Sequence, residues 1–170
     1  MSIEKRNAIF KLEALGFTRS FFVFLKKTYG IEFSDAELYE VTKSGCRDAA
    51  NHINRHRIYQ RTFDGLKLTS FLIYRAALCI RQTRSHGAPH IDPVREVCRA
   101  GIERLARILE LETSKEIILE DRDKGYLASM LYDEVISRER CTSGIGPNGL
   151  SSTFTFLQRI RPDPDRLAKI

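Results

Sequence analysis

The segment from Thr42 to Arg61, TKSGCRDAANHINRHRIYQR, is rich in side chains that can bind a polyanion or hydrogen-bond to a base. It contains four arginines, two asparagines, two histidines and a glutamine, with few apolar residues between them. Arginine can grip a guanine edge or a phosphate with two parallel N–H groups, and asparagine can pair with adenine. These residue types match those that a helix needs in the major groove of DNA.

The positive charge of the chain is concentrated around this segment. The net charge is +6, and residues 47–84 hold eight Lys/Arg against two Asp/Glu, whereas the rest of the chain is nearly balanced. A localised positive stretch indicates a polyanionic partner, most often nucleic acid and less often an anionic membrane surface or an acidic protein. We expect these cations to emerge together on one exposed surface.

Three interpretations of this segment remain open: a nucleic-acid contact, a solvated basic face and a protein-binding surface. In a helix that begins near Arg47, the residues Ala49, Ala50 and Ile53 form a narrow inward stripe, which permits close packing on a neighbouring helix. Asn51 and Asn54, however, occupy positions where helix-turn-helix motifs usually have apolar residues. Eight residues are predicted to bind nucleic acid: Lys43, Arg47, Asn51, Asn54, Arg55, Arg57, Arg61 and Arg84. Of these, Lys43 and Arg84 are the predicted phosphate ligands.

Other candidate sites have weaker sequence support. Cys79, His86, His90 and Cys98 have the residue types of a tetrahedral zinc site, but their spacing matches no standard finger, and buried thiols with loop histidines are the simpler interpretation. The segment GIGPNG fits the glycine pattern of a dinucleotide-binding turn but does not join a strand to a helix. We therefore expect neither a metal nor a cofactor.

Carboxylates gather between Glu120 and Glu134, but they alternate with basic residues as in a solvated helix junction. No nucleophile stands beside an evident base. The sequence thus favours a protein that is not an enzyme, although catalytic groups can converge in space from distant positions.

Hydrophobic periodicity and helix-end signals predict an all-α fold of about seven helices. The helix-end signals are the Ser34/Glu37 capping box, Gly30, Asp92-Pro93 and, as a turn before a long and largely buried helix, Asp64-Gly65. Gly16 and the pair Ser44-Gly45 are expected to interrupt helices, and the second interruption would create a helix-turn-helix-like pair at about residues 35–60. The predicted helices cover residues 2–16, 18–30, 35–43, 47–60, 66–84, 92 to about 109, and 125–140. Residues 1–140 would form one helical domain, and residues 141–170 a loop and an irregular tail packed on it.

The second predicted helix contains consecutive apolar residues from Phe21 to Leu25 and is therefore apolar on every side. Such a helix must be covered all round. It is either the central core element or, through Phe21, Phe22 and Phe24, part of an oligomer interface.

The chain has the composition of an ordinary soluble protein, and its most apolar stretch is too short and too charged to span a membrane. The scattered cysteines suit a reducing compartment. We predict a cytoplasmic protein without a membrane partner.

The run from Ile9 to Gly45, IFKLEALGFTRSFFVFLKKTYGIEFSDAELYEVTKSG, resembles the N-terminal part of the D subunit of the flagellar master regulator and of related activators carried on bacterial conjugative elements. The shared features are a helix that ends in ALGF, an apolar helix and a third helix ending in Ser-Gly. The resemblance implies a helical, oligomeric transcriptional activator that acts with a second subunit, and it implies no individual site residue.

The sequence thus predicts a DNA-binding transcriptional regulator, with duplex DNA and either further copies of itself or a second regulator subunit as partners. The alternative is a helical adaptor or chaperone-like subunit of a bacterial secretion or mobile-element system. In that case the Phe-rich helix would be the docking surface.

Overall fold

The computed structural model describes residues 3–56, 61–84, 92–112 and 119–140. These residues form five α-helices and no strand, which confirms the predicted all-α class. The helices are α1 (Ile3–Tyr29), α2 (Asp35–His56), α3 (Arg61–Arg84), α4 (Pro93–Glu112) and α5 (Asp121–Arg140). The predicted C-terminal loop and tail, residues 141–170, lie outside the described residues, as does the GIGPNG segment.

Helix α3 is the central element of the fold. It packs against each of the other four described helices, and every residue from Leu68 to Ile80 is buried except Arg75 and Cys79, which are partly buried. This confirms the prediction of a long buried helix in this region. The helix begins earlier than predicted, however, so that Asp64 and Gly65 lie inside it and the expected turn there is wrong.

Two glycines allow the neighbouring helices to approach α3 closely. A Cβ atom on Gly45 of α2 would lie 2.6 Å from Leu72 Cδ2 and 3.2 Å from Leu72 Cα, and one on Gly101 of α4 would overlap the side chain of Ile73. Leu72 and Ile73 are adjacent and fully buried. The backbones of α2 and α4 therefore pack tightly around one point of α3, because neither glycine carries a side chain there.

The expected interruption at Ser44-Gly45 is wrong for this reason. Helix α2 is continuous from Asp35 to His56, so it replaces the predicted helix-turn-helix pair with one helix of 22 residues. Gly45 serves close packing against α3 and does not reverse the chain. The sequence signal was ambiguous because a helix-stopping glycine and a helix-packing glycine look alike until the neighbouring helix is known.

The expected break at Gly16 is also wrong, since α1 is continuous over 27 residues. Thr18, which the sequence suggested as the start of a second helix, is buried and donates its hydroxyl to the carbonyl of Ala14 at 2.7 Å. This bond satisfies the hydroxyl inside the helix, one turn back along the chain. With both interruptions absent, the described residues contain five helices where seven were predicted.

Several predicted helix ends are confirmed. Gly30 ends α1 with a φ of 69°, and its N–H donates to the carbonyl of Lys26 at 3.0 Å. Asp92 caps α4, since its Oδ1 accepts from the N–H of Val94 at 3.0 Å, and Pro93 is the first helical residue. At α2 the capping box is reciprocal: Ser34 N–H donates to Glu37 Oε1 at 2.9 Å, and Glu37 N–H donates to Ser34 Oγ at 3.1 Å.

The Phe-rich part of α1 is mostly covered within the chain. Phe21 is 1% exposed and stacks on Phe17 with ring centroids 5.4 Å apart, so its predicted place in an oligomer interface is wrong. Phe22 stacks on Phe33 at 3.8 Å, and Phe24 is half-buried. Val23 remains 53% exposed between them. The C-terminal half of α1 is thus a core element with one open strip.

Candidate nucleic-acid interface

The outer face of α2 carries the candidate site. Lys43, Arg47 and Asn51 are all exposed and stand four residues apart, so they recur about one helical turn apart and span about 12 Å along the helix. The residues two positions before each of them, Val41, Gly45 and Ala49, are buried against the core. The amphipathic pattern of the continuous helix therefore brings together three predicted contact residues.

An aromatic ring extends this face by one turn. Tyr39, four residues before Lys43, is 63% exposed, and Lys43 Nζ lies 5.7 Å from the centre of its ring. Exposed aromatic rings beside cations can stack on unpaired bases or pack on sugars. The sequence prediction missed Tyr39, although its spacing of four from Lys43 was a readable signal. We call the surface formed by Tyr39, Lys43, Arg47 and Asn51 the α2 outer face.

Four other predicted residues lie close to this face in the sequence, but their side chains are outside the described part. Asn54 and Arg55 belong to α2, three and four residues beyond Asn51, which places both positions on the same side of the helix. Arg61 is the first residue of α3. Arg57 lies between the described helices and outside the described residues.

Arg84 is not part of the α2 outer face. Its guanidinium donates to both carboxylate oxygens of Glu37, at 2.5 and 3.0 Å, and to the carbonyl of Glu32 at 2.8 Å. It also lies 5.4 Å from the centre of the Phe33 ring. Arg84 thus fastens the end of α3 to the start of α2, and its charge is neutralised there.

The contact with Arg84 lowers the pKa of Glu37. The hydrogen bond from Arg84 is the main cause that lowers the pKa of Glu37 to about 2, and the bond from the Ser34 N–H acts in the same direction. The carboxylate therefore stays charged at every pH near neutrality, and the Arg84 pair persists with it.

Arg75 is a second internally paired cation of the basic window. Its Nε and Nη2 donate to the two carboxylate oxygens of Asp48 at 2.6 and 3.0 Å, and both side chains are largely buried between α2 and α3. The expectation that the excess cations emerge together on one surface is therefore wrong for Arg75 and Arg84. It holds for Arg47, which is exposed and donates only a long bond to Ser44 Oγ, 3.4 Å.

The cysteines in the described part behave as structural thiols. Burial raises the pKa of Cys79 to about 11, helped by the hydrogen bond that its thiol donates to Glu37 Oε2 at 3.3 Å. Burial also raises the pKa of Cys98. Within the described ranges no group of three His, Cys, Asp or Glu residues could hold a metal ion. His86 and His90, the other two residues of the zinc pattern, lie outside those ranges.

No protein-family model, curated protein or solved structure matched the chain in comparisons with known proteins. Among the described helices, none combines the length and the apolar character required for a membrane span. The candidate site therefore depends on the geometry of α2 alone.

Proposed function

We propose that the chain binds duplex DNA through the α2 outer face and acts in transcriptional control. The observation that carries the proposal is the regular exposure of Lys43, Arg47 and Asn51 along one side of a single uninterrupted helix. A helix fits the major groove, where Arg and Lys bind guanine edges or phosphates and Asn binds adenine. We further propose that the protein is cytoplasmic and works with another copy of itself or with a second regulator subunit.

The continuity of α2 favours this use over a short recognition helix. From Tyr39 to Arg55 the helix passes through more than four turns. The same side could therefore follow the groove and also reach a phosphate strand at either end. In this scheme Lys43 and Arg47 bind phosphates, while Asn51 and Asn54 bind base edges.

The mechanism is electrostatic capture followed by side-chain readout. Each cation that meets a phosphate releases a counterion from the DNA, so the affinity falls as salt rises. Arg75 and Arg84 take no part, because their guanidinium groups are held by Asp48 and Glu37.

The experiment is a gel shift with random-sequence duplex DNA and two charge-reversed variants. Lys43→Glu/Arg47→Glu removes the two cations of the α2 outer face, and Arg99→Glu/Arg122→Glu makes the same change of net charge at exposed positions of α4 and α5. We expect the first variant to lose binding by at least about tenfold and the second to bind nearly as the wild type does.

A matching loss in both variants would contradict the proposal, because it would show that only the net charge matters.

Neutralising Arg55, Arg57 and Arg61 together then tests the C-terminal part of the basic segment, and retained binding in that variant would remove those residues from the interface.

A second candidate function has one observation in its favour. Val23, 53% exposed, and the half-buried Phe24 leave an apolar strip open on α1, as a helical adaptor of a secretion or mobile-element system would need. A protein complex that is insensitive to salt, together with no affinity for DNA, would favour the adaptor.

A further inference from the structure

A groove of about 410 Å³ lies between α1 and α4, on a part of the molecule that the DNA proposal does not use. Its walls are formed by five residues of α1 and one of α4. They are Arg19, Ser20, Val23, Phe24, Lys27 and Arg104.

The groove combines an apolar floor with unbalanced positive charge. Three of its lining residues, Arg19, Lys27 and Arg104, are cations, and none is a carboxylate. Arg104 lies with its guanidinium 4.8 Å from the centre of the Phe24 ring, so it covers that ring without losing its charge. Neither Arg19 nor Lys27 forms an ion pair with another described residue.

The spacing of residues along α1 places cationic side chains on both sides of the apolar Val23. Arg19, Val23 and Lys27 are four residues apart, so they occupy successive turns, each about 6 Å from the next along the axis. Val23 is therefore flanked by one cation on each side, and Arg104 supplies a third across the groove.

A second groove, which shares Arg19 and Val23 with the α1–α4 groove, has a different balance of charge. There Lys26 pairs with Glu32 at 3.2 Å, and Asp35 also lines the wall. Carboxylates thus line the second groove, whereas the lining of the α1–α4 groove adds Lys27 and Arg104 to the shared Arg19 and contains no carboxylate. The α1–α4 groove is therefore the one that suits an anionic partner.

We propose that this groove docks an acidic amphipathic helix of a partner protein. An apolar side chain of the partner packs on Val23 and Phe24, and carboxylates one turn before and after it pair with Arg19 and Lys27. A phosphate backbone would satisfy the cations but would leave the exposed Val23 without an apolar contact, so a peptide fits both features and nucleic acid fits one. The groove contains no residue of the α2 outer face, so this docking proposal does not rest on DNA binding.

The probe is a fluorescein-labelled peptide of about 16 residues with a leucine stripe flanked by glutamates, compared with a peptide in which every Glu is Gln. Fluorescence anisotropy measures its binding to the full chain. We expect the acidic peptide to bind at least about tenfold more tightly than its Gln counterpart, because pairing with the cations supplies the difference.

Two double variants locate the site. Arg19→Glu/Lys27→Glu should weaken binding of the acidic peptide by about tenfold or more, whereas Arg99→Glu/Arg122→Glu, which has the same net charge, should leave it within about twofold. Val23→Ser should also weaken binding, since it removes the apolar contact and leaves the charges in place. Circular dichroism of each variant verifies that the helices persist.

Equal binding by the two double variants would overturn the proposal. It would also be overturned if duplex DNA occupied the groove, seen as loss of DNA binding in Arg19→Glu/Lys27→Glu but not in Lys43→Glu/Arg47→Glu. Self-association that Val23→Ser abolishes would assign the groove to a second copy of the chain, and this too would overturn it.

Discussion

At the scale of single residues, the glycines in the described helices and at their ends have three different roles. Gly30 takes up a positive φ and ends α1, and Gly45 and Gly101 admit the side chains of α3. Gly16 lies on an exposed helix surface, where an added methyl group would meet no neighbouring atom within 4 Å. Only the first role could be read from the sequence, because it depends on neighbours within the same turn. The second depends on Leu72 and Ile73, which are distant in sequence.

Substitution by alanine should separate these roles. Gly45→Ala is expected to lower the free energy of unfolding by about 1–3 kcal/mol, because the new methyl group would press on the backbone as well as the side chain of Leu72. Gly16→Ala should raise it by about 0.5–1 kcal/mol, since alanine is the better helix former and meets nothing there. Urea unfolding measures both, and equal effects would contradict the assigned roles.

Glu37 gives the molecule a pH-dependent contact. Its pKa lies at about 2 in the folded chain, against an ordinary value of 4.5, so the contact with Arg84 contributes its full stability above about pH 4.5. The contribution is lost as the pH falls from 4.5 toward 2, because the unfolded chain takes up the proton first.

Glu37→Gln should remove this pH dependence while keeping the cap, because a Gln side-chain oxygen can still accept from the Ser34 N–H. We expect the variant to be less stable than the wild type at about pH 6, by on the order of 1–2 kcal/mol. This is less than the pKa shift of Glu37 alone would give, because Arg84 is partly exposed and solvent screens the pair. The difference should shrink at about pH 3. Thermal or urea unfolding at both pH values checks this, and a constant difference would refute it.

At the scale of helices, α2 and α3 are joined by two ion pairs, Glu37–Arg84 and Asp48–Arg75, and approach closely at Gly45. Asp48 and Arg75 are 19% and 22% exposed and form two hydrogen bonds across the interface. An ion pair in such a setting is costly to break, because the remaining charge keeps its desolvation penalty and loses its partner. The Asp48–Arg75 pair therefore contributes, together with the Glu37–Arg84 pair, to how α2 lies on α3 and to the direction of the α2 outer face.

Asp48→Asn is expected to lower the free energy of unfolding by about 1–3 kcal/mol, because it leaves the Arg75 guanidinium without its counter-charge. Asp48→Asn/Arg75→Met should recover part of that loss, since no unpaired charge remains. A double-mutant cycle by urea unfolding measures the coupling. Full additivity of the two substitutions would show that the pair does not hold the helices together.

Helix ends with a local cap or stop signal were predictable, whereas the starts of α3 and α5 and the continuity of the helices were not. The Ser34/Glu37 box, Gly30 and Asp92-Pro93 were read correctly because a cap is made by residues within one turn of each other. The false interruptions at Gly16, Ser44-Gly45 and Asp64-Gly65 all fell inside helices that tertiary packing sustains. Local sequence signals therefore located the capped helix ends but predicted more helices than the described residues contain.

At the scale of the whole molecule, the distribution of charge decides what the chain can bind. The sequence located the positive excess but could not tell exposed cations from paired ones, because Asp48 and Glu37 reach Arg75 and Arg84 from positions 27 and 47 residues away. The outward position of Asn51 followed from helical periodicity. Its alignment with Lys43 and Arg47 was not predicted, because the expected break at Ser44-Gly45 put Lys43 in a different helix. The cations of the α1–α4 groove were not, since Arg104 meets Phe24 only in the folded chain.

DNA binding by the α2 outer face is the central claim, and the salt dependence of binding tests it most directly. Fluorescence polarisation of a labelled random duplex gives the slope of log Kobs against log salt for the wild type and for Lys43→Ala/Arg47→Ala. We predict a clear negative slope for the wild type and a slope shallower by about two in the variant, because two phosphate contacts are removed. Identical slopes and affinities for the two proteins, or a wild type with no affinity for the duplex at low salt, would contradict this claim.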